Sequence, residues 1–140
     1  ALDQIKVPSI ISSDPKQILE AEKLILPGVG HFGKAMENLT KLNLVDALNE
    51  AVLNKETPIL GICLGMQMLF SESYEFGRHE GLELIEGQVV SLKPPSQVRR
   101  PDYKLPHIGW NKVTATKRVN RNKKILKAIK PHSDLYFVHT

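Results

Sequence analysis

Apolar positions along this chain fall into short blocks whose spacing switches between that of a strand and that of a helix. Lys23-Leu24-Ile25-Leu26 is an apolar run stopped by Pro27-Gly28, which reads as a buried strand feeding a tight loop. Phe32, Ala35, Met36, Leu39 and Leu42 then recur at helical spacing, and after Asn43 the set Leu44, Ala47, Leu48, Ala51 and Val52 repeats the pattern. Two helices, each with one face to bury, are predicted. Pro58-Ile59-Leu60-Gly61-Ile62 is a second short strand, and Leu64 through Phe70 reads as a helix starting directly after it. Strand, helix, strand, helix predicts a parallel sheet. Ahead of these, Asp14-Pro15-Lys16-Gln17 predicts a short helix to about Glu22. Asp14 caps it, Pro15 takes the first helical position and Gln17 closes a capping box.

The second half has a different texture. Leu82 to Leu92 and Leu105 to Thr116 read as strands broken by Gly87, Pro94-Pro95, Pro101 and Pro106, and Leu135 to Val138 reads as a last strand. With only His139-Thr140 after it, the chain is expected to be cut within its fold. The 140 residues suit one domain, 41% hydrophobic and 24% charged, with nine Pro and nine Gly spread out rather than clustered. No apolar run approaches the ~20 residues that span a bilayer, and the start has no signal-peptide pattern, so a cytoplasmic location is expected. The net charge of +4 owes much to Lys117, Arg118, Arg121, Lys123, Lys124, Lys127 and Lys130. That run lacks interleaved aromatics and reads as a solvated face, so no nucleic-acid partner is indicated, and no membrane either.

The chemistry centres on the single cysteine. Gly61-Ile62-Cys63-Leu64-Gly65 has the form of a nucleophile elbow, in which a strand turns sharply into a helix and holds the central side chain out at the carboxyl edge of a sheet. Gly61 and Gly65, without Cβ atoms, let neighbouring backbone approach the turn. A thiol there faces the positive end of the helix dipole, which favours thiolate, and the Leu64 N–H is placed to donate to an oxyanion. The bland alternative is a buried structural cysteine between two chance glycines.

Gly28-Val29-Gly30-His31-Phe32-Gly33 is also a G-x-G-x-x-G after a strand and before a helix, the context of a dinucleotide site. That rival needs an acidic residue at the end of the next strand. Asp46 and Glu50 fall in a predicted helix, and the strand ends at Ile62-Cys63. The better reading sets this loop beside the elbow, where Val29 or Gly30 offers a second oxyanion N–H.

Together, Leu26 to Gly33 and Gly61 to Gln67 resemble the motifs of class I glutamine amidotransferases. Gly81 to Gly87, Leu105 to Asn111 and Tyr136 to Thr140 narrow the resemblance to the imidazole glycerol phosphate synthase type. It implies a three-layer, flavodoxin-like α/β domain truncated at both ends, lacking its first strand. It also implies that Cys63 attacks the side-chain amide of glutamine, that Gly28, Gln67, Glu75, His139 and Thr140 bind the substrate, and that no cofactor or metal is needed. The bland alternative for Glu75 is a solvated loop charge. Pro106, His107, Gly109, Trp110 and Asn111 resemble a segment facing a (βα)8-barrel cyclase partner, to which the released ammonia passes in histidine biosynthesis. Read alone, Trp110 is equally a core aromatic.

The family's general base and its carboxylate lie in a His-Pro-Glu triplet that does not occur here. None of His31, His79, His107, His132 and His139 has that pattern, so the 140 residues by themselves are expected to be inactive. Arg78-His79-Glu80-Gly81 and the insert from Pro94 to Lys104 keep open a relative that feeds ammonia to a sugar-amidating synthase in surface-polysaccharide biosynthesis.

Overall fold

After a single 3-10 turn over Asp3–Ile5, the chain enters its first α-helix, α1 (Pro15–Glu20), where the sequence marks a start. Asp14 Oδ1 accepts from the Lys16 N–H at 3.0 Å, and Pro15 opens the helix. The capping box, however, is not closed by Gln17: the Asp14 N–H donates to Ser12 Oγ at 3.0 Å, so a residue upstream does that work. The computed structural model describes residues 2–92, 105–114, 130 and 132–139. Within the chain, residues 1–91 and 92–140 form two compact units.

In the first unit, β1 (Leu24–Gly28) pairs in parallel with β2 (Ile59–Cys63), with Leu24 opposite Ile59 and Gly28 opposite Cys63. Between them run α2 (Phe32–Lys41) and α3 (Leu44–Asn49), the latter continuing as one wider π turn over Glu50–Asn54. Asn43 separates the two helices in the left-handed conformation, which Asn tolerates better than most residues. The helix after β2, α4 (Leu64–Met68), is shorter than the pattern predicts. Phe70 belongs instead to β3 (Phe70–Ser73), which pairs antiparallel with β4 (His79–Glu80) and parallel with β5 (Ile85–Val89). The strand expected over Leu82 to Leu92 is thus confined to Ile85–Val89, and Leu82 serves the core from the loop before it.

Phe32, Met36, Leu44, Leu48, Ala51, Leu64, Met68, Leu69 and Leu82 form that core with Leu24. Phe32 is fully buried, which stabilises the fold by roughly 1.5–3 kcal/mol relative to exposure. The helical periodicity is reproduced except at Leu42, which caps α2 and stays exposed. The expectation that Leu24 to Leu26 form a buried strand needs correction, because successive side chains point to opposite faces. Leu24, Leu26 and Ile59 meet the helices, whereas Ile25, Leu60 and Ile62 remain exposed.

In the second unit, β6 (His107–Val113) and β7 (Ser133–His139) form an antiparallel pair in continuous register from His107 opposite His139 to Val113 opposite Ser133. β6 is shorter than the predicted Leu105 to Thr116 strand. Residues 93–104, most of the basic run and Thr140 lie outside the described residues.

On the exposed side of α2, Glu37 pairs with Lys34 at 2.9 Å and with Lys41. The hydrogen bond from Lys41, then that from Lys34, lowers the Glu37 carboxyl to about 2. A carboxylate depressed by folding stabilises above its unfolded value, and the contribution is lost as pH falls through the folded value. A carboxyl-carbon titration is expected to show a Glu37 midpoint of about 2, moving upward in Lys41→Ala.

Candidate active site

Cys63 ends β2 and caps α4, with φ 55° and ψ −122°. A non-glycine residue at positive φ is strained, and such strain persists only where surrounding structure over-determines it. Here the surroundings are backbone. A Cβ on Gly65 would lie 1.8 Å from the carbonyl oxygen of Leu26, one on Gly61 would lie 2.4 Å from Met66 Cα, and one on Gly28 would lie 2.7 Å from the Gly65 N. The elbow is therefore pressed against β1 with no room for side chains between them. The thiol itself is exposed, so the reading of a buried structural cysteine does not describe this residue.

The register that sets Gly28 opposite Cys63 brings the glycine loop beside the elbow. Val29 is almost fully exposed, and Gly30 has φ 94° with nothing within 4 Å of its missing side chain. Leu64 is buried at the first position of α4, where a backbone N–H has no partner within the helix. The end of β2, where a dinucleotide site would carry its acidic residue, is held by Cys63.

Gln67 lies half-buried on α4, one turn beyond Cys63. Glu75 stands in the turn between β3 and β4, where its Oε2 accepts from the Phe32 N–H at 2.7 Å. It thereby caps α2, a role that the sequence did not suggest. A carboxylate has capacity for further donors, so this contact leaves Oε1 able to take another. Arg78, the residue after Gly77, is engaged inside the same hairpin. Its Nε donates to Glu72 Oε2 at 2.6 Å, and this bond, joined by those from Tyr74 and Gln88, keeps the Glu72 carboxyl below the usual range. A depression of about 530 Å³, lined by Met36, Glu37, Thr40, Arg78, His79 and Glu80 among others, contains neither Cys63 nor Gly28 to Gly30.

His139 and the residues from Pro106 to Asn111 belong to the second unit. The Asn111 amide donates to His107 Nε2 at 2.9 Å, which leaves His107 Nδ1 to donate to His139 Nε2 at 2.8 Å. Trp110 is 70% exposed and packs edge-on against Tyr136, with ring centroids 5.4 Å apart, so it is a surface aromatic rather than a core one.

The family model for class I glutamine amidotransferase matches residues 4–140. The chain belongs to that family. It is 43% identical over all of its length to imidazole glycerol phosphate synthase subunit HisH 1 of Campylobacter jejuni, of which it covers 65%. It is 46% identical over 91% of its length to the subunit HisH 1 of Legionella pneumophila strain Paris, covering 60% of that protein. To the HisH subunit of Sulfurimonas denitrificans it is 42% identical, covering 64%. The chain thus spans a little under two thirds of the length of these curated relatives.

Gly65→Ala is expected to destabilise the fold by at least about 2 kcal/mol, because the new methyl meets a backbone carbonyl that cannot rotate away. Gly30→Ala, with open space but an unfavourable φ, is expected to cost about 1 kcal/mol. Urea unfolding of both variants checks the order.

Proposed function

We propose that this protein is the glutaminase component of an imidazole glycerol phosphate synthase, releasing ammonia from glutamine through a thioester at Cys63. The observation that carries this reading is an exposed cysteine, strained at positive φ, at the end of a strand whose parallel neighbour ends in the glycine loop. The names of the relatives support the assignment to histidine biosynthesis.

In this mechanism the Cys63 sulfur attacks the side-chain carbonyl carbon of glutamine, and the carbonyl oxygen takes the negative charge. The N–H groups of Leu64 and of Val29 or Gly30 steady that oxyanion. Collapse breaks the C–N bond, the departing nitrogen takes up the proton that the thiol has given up and leaves as ammonia, and a glutamyl thioester remains. Water then cleaves the thioester to glutamate and the free thiol. Gln67 and Glu75 hold the amino-acid end of the substrate, together with the backbone of Gly28. Glu75 would then link the substrate ammonium to the first turn of α2, since its carboxylate already accepts from Phe32 N–H. A (βα)8-barrel cyclase receives the ammonia in a cytoplasmic heterodimer, docking at Pro106, His107, Gly109, Trp110 and Asn111. The exposed ring of Trp110 suits an interface.

In the full-length protein with its synthase partner, a glutamine-mimicking electrophile is expected to label Cys63, and glutamine to block the labelling. Cys63→Ala should remove both labelling and glutamate release, lowering turnover by about 10³-fold or more. Labelling that is indifferent to glutamine would sink the glutaminase reading. Activation of a sugar-amidating synthase rather than the cyclase would transfer it to polysaccharide biosynthesis.

A further inference from the structure

Three successive residues at the start of α2 are each met by a different residue of the β3–β4 hairpin. The ring of His31 stacks on that of Phe76, with centroids 4.8 Å apart and planes 28° from parallel. The Phe32 N–H donates to Glu75. Gly33 faces the ring of His79 so closely that a Cβ there would lie 2.5 Å from Cε1, 2.6 Å from Nδ1 and 2.9 Å from Nε2. The space of a side chain at position 33 is therefore filled by an imidazole carried on another element.

The hairpin that presents these groups is itself anchored. Ser73, fully buried, stands opposite His79 in the β3–β4 ladder, and its Oγ accepts from the Glu75 N–H at 3.2 Å. Phe76 and Gly77 both have positive φ, so the turn is sharp and its tip is directed by backbone geometry. β3 also follows α4 after one residue, and α4 begins at Cys63. The elbow and the glycine loop are thus joined twice: directly through the β1–β2 ladder, and indirectly through α4, β3, the hairpin and the first turn of α2.

We infer that the β3–β4 hairpin positions the glycine loop for catalysis, with His79 as the positioning residue whose ring fixes the first turn of α2 through Gly33. The inference rests on the glutaminase reading for its catalytic consequence, but not for its structural one. His79 acts by filling space, so its shape matters and its nitrogens do not. A loop that carries oxyanion donors must be held closely, since a displacement of about 1 Å can cost about a hundredfold in rate.

The test uses the full-length protein with its synthase partner, reading backbone amide exchange at Val29 and Gly30 together with kcat and KM for glutamine. His79→Ala is expected to speed exchange at these two amides about tenfold, with β1–β2 ladder amides unchanged as the control for folding. It is expected to lower kcat by about tenfold to a hundredfold with little change in KM. His79→Phe, which keeps a ring, should restore both. Gly33→Ala, whose methyl displaces the ring by side-chain rotation, should loosen the same two amides by no more than His79→Ala, and the double variant should be no worse than His79→Ala, since the added methyl then has room. Unchanged loop exchange in His79→Ala, losses that multiply in the double variant, or failure of His79→Phe to restore would each overturn the inference. If the wild-type protein neither releases glutamate nor labels at Cys63, the proposed function fails, and the exchange comparison alone decides the role of the hairpin.

Discussion

The contact on which the first unit turns is backbone against backbone. At Gly65 the helix after the elbow rides directly on the Leu26 carbonyl, and at Gly28 the end of β1 rides on Leu64 and Gly65. Interactions this close leave no slack for side-chain rotamers to absorb. They hold Cys63 at a positive φ that an ordinary residue avoids, and the strain is balanced by the ladder on one side and the buried first residue of α4 on the other. An exposed thiol in a fixed direction follows from packing that the thiol itself does not take part in.

The same constraint explains why the core lies where it does. Phe32 and Leu64 each stand at the first position of a helix that starts at the edge carrying Cys63 and the glycine loop, and both are buried in one cluster. Burying those two anchors fixes where α2 and α4 begin, and so where the glycine loop and the elbow end. The hairpin adds a second hold on α2 through a carboxylate cap, a ring stack and a filled glycine site. The groups the hairpin presents at this edge thus serve mainly to orient backbone.

The second unit follows another logic. Its two strands bury little, and one face carries Ile108, Trp110, Tyr136 and Val138, all more than half exposed. On the opposite face the Asn111 amide sets the tautomer of His107, which in turn orients His139. A chain of this kind specifies ring directions on a ribbon that has little packing to do so.

Much of this was legible in the sequence because it is local. Apolar spacing marked α2 and α3, Asp14-Pro15 marked the start of α1, and the glycines around Cys63 announced an elbow, because each signal depends on steric properties of neighbouring residues. The adjacency of the two glycine motifs was also legible, since consecutive strands joined by helices pair in parallel. What only the tertiary structure decided is non-local. Ser12 rather than Gln17 completes the α1 cap, Phe70 leaves the helix for a strand, and Glu75 caps a helix 43 residues away. Nothing periodic marks a two-residue strand such as His79–Glu80, and no spacing reveals that an imidazole will stand where Gly33 has no side chain. Those partners are chosen by how separate segments pack, and a single chain read in order carries no record of that distance.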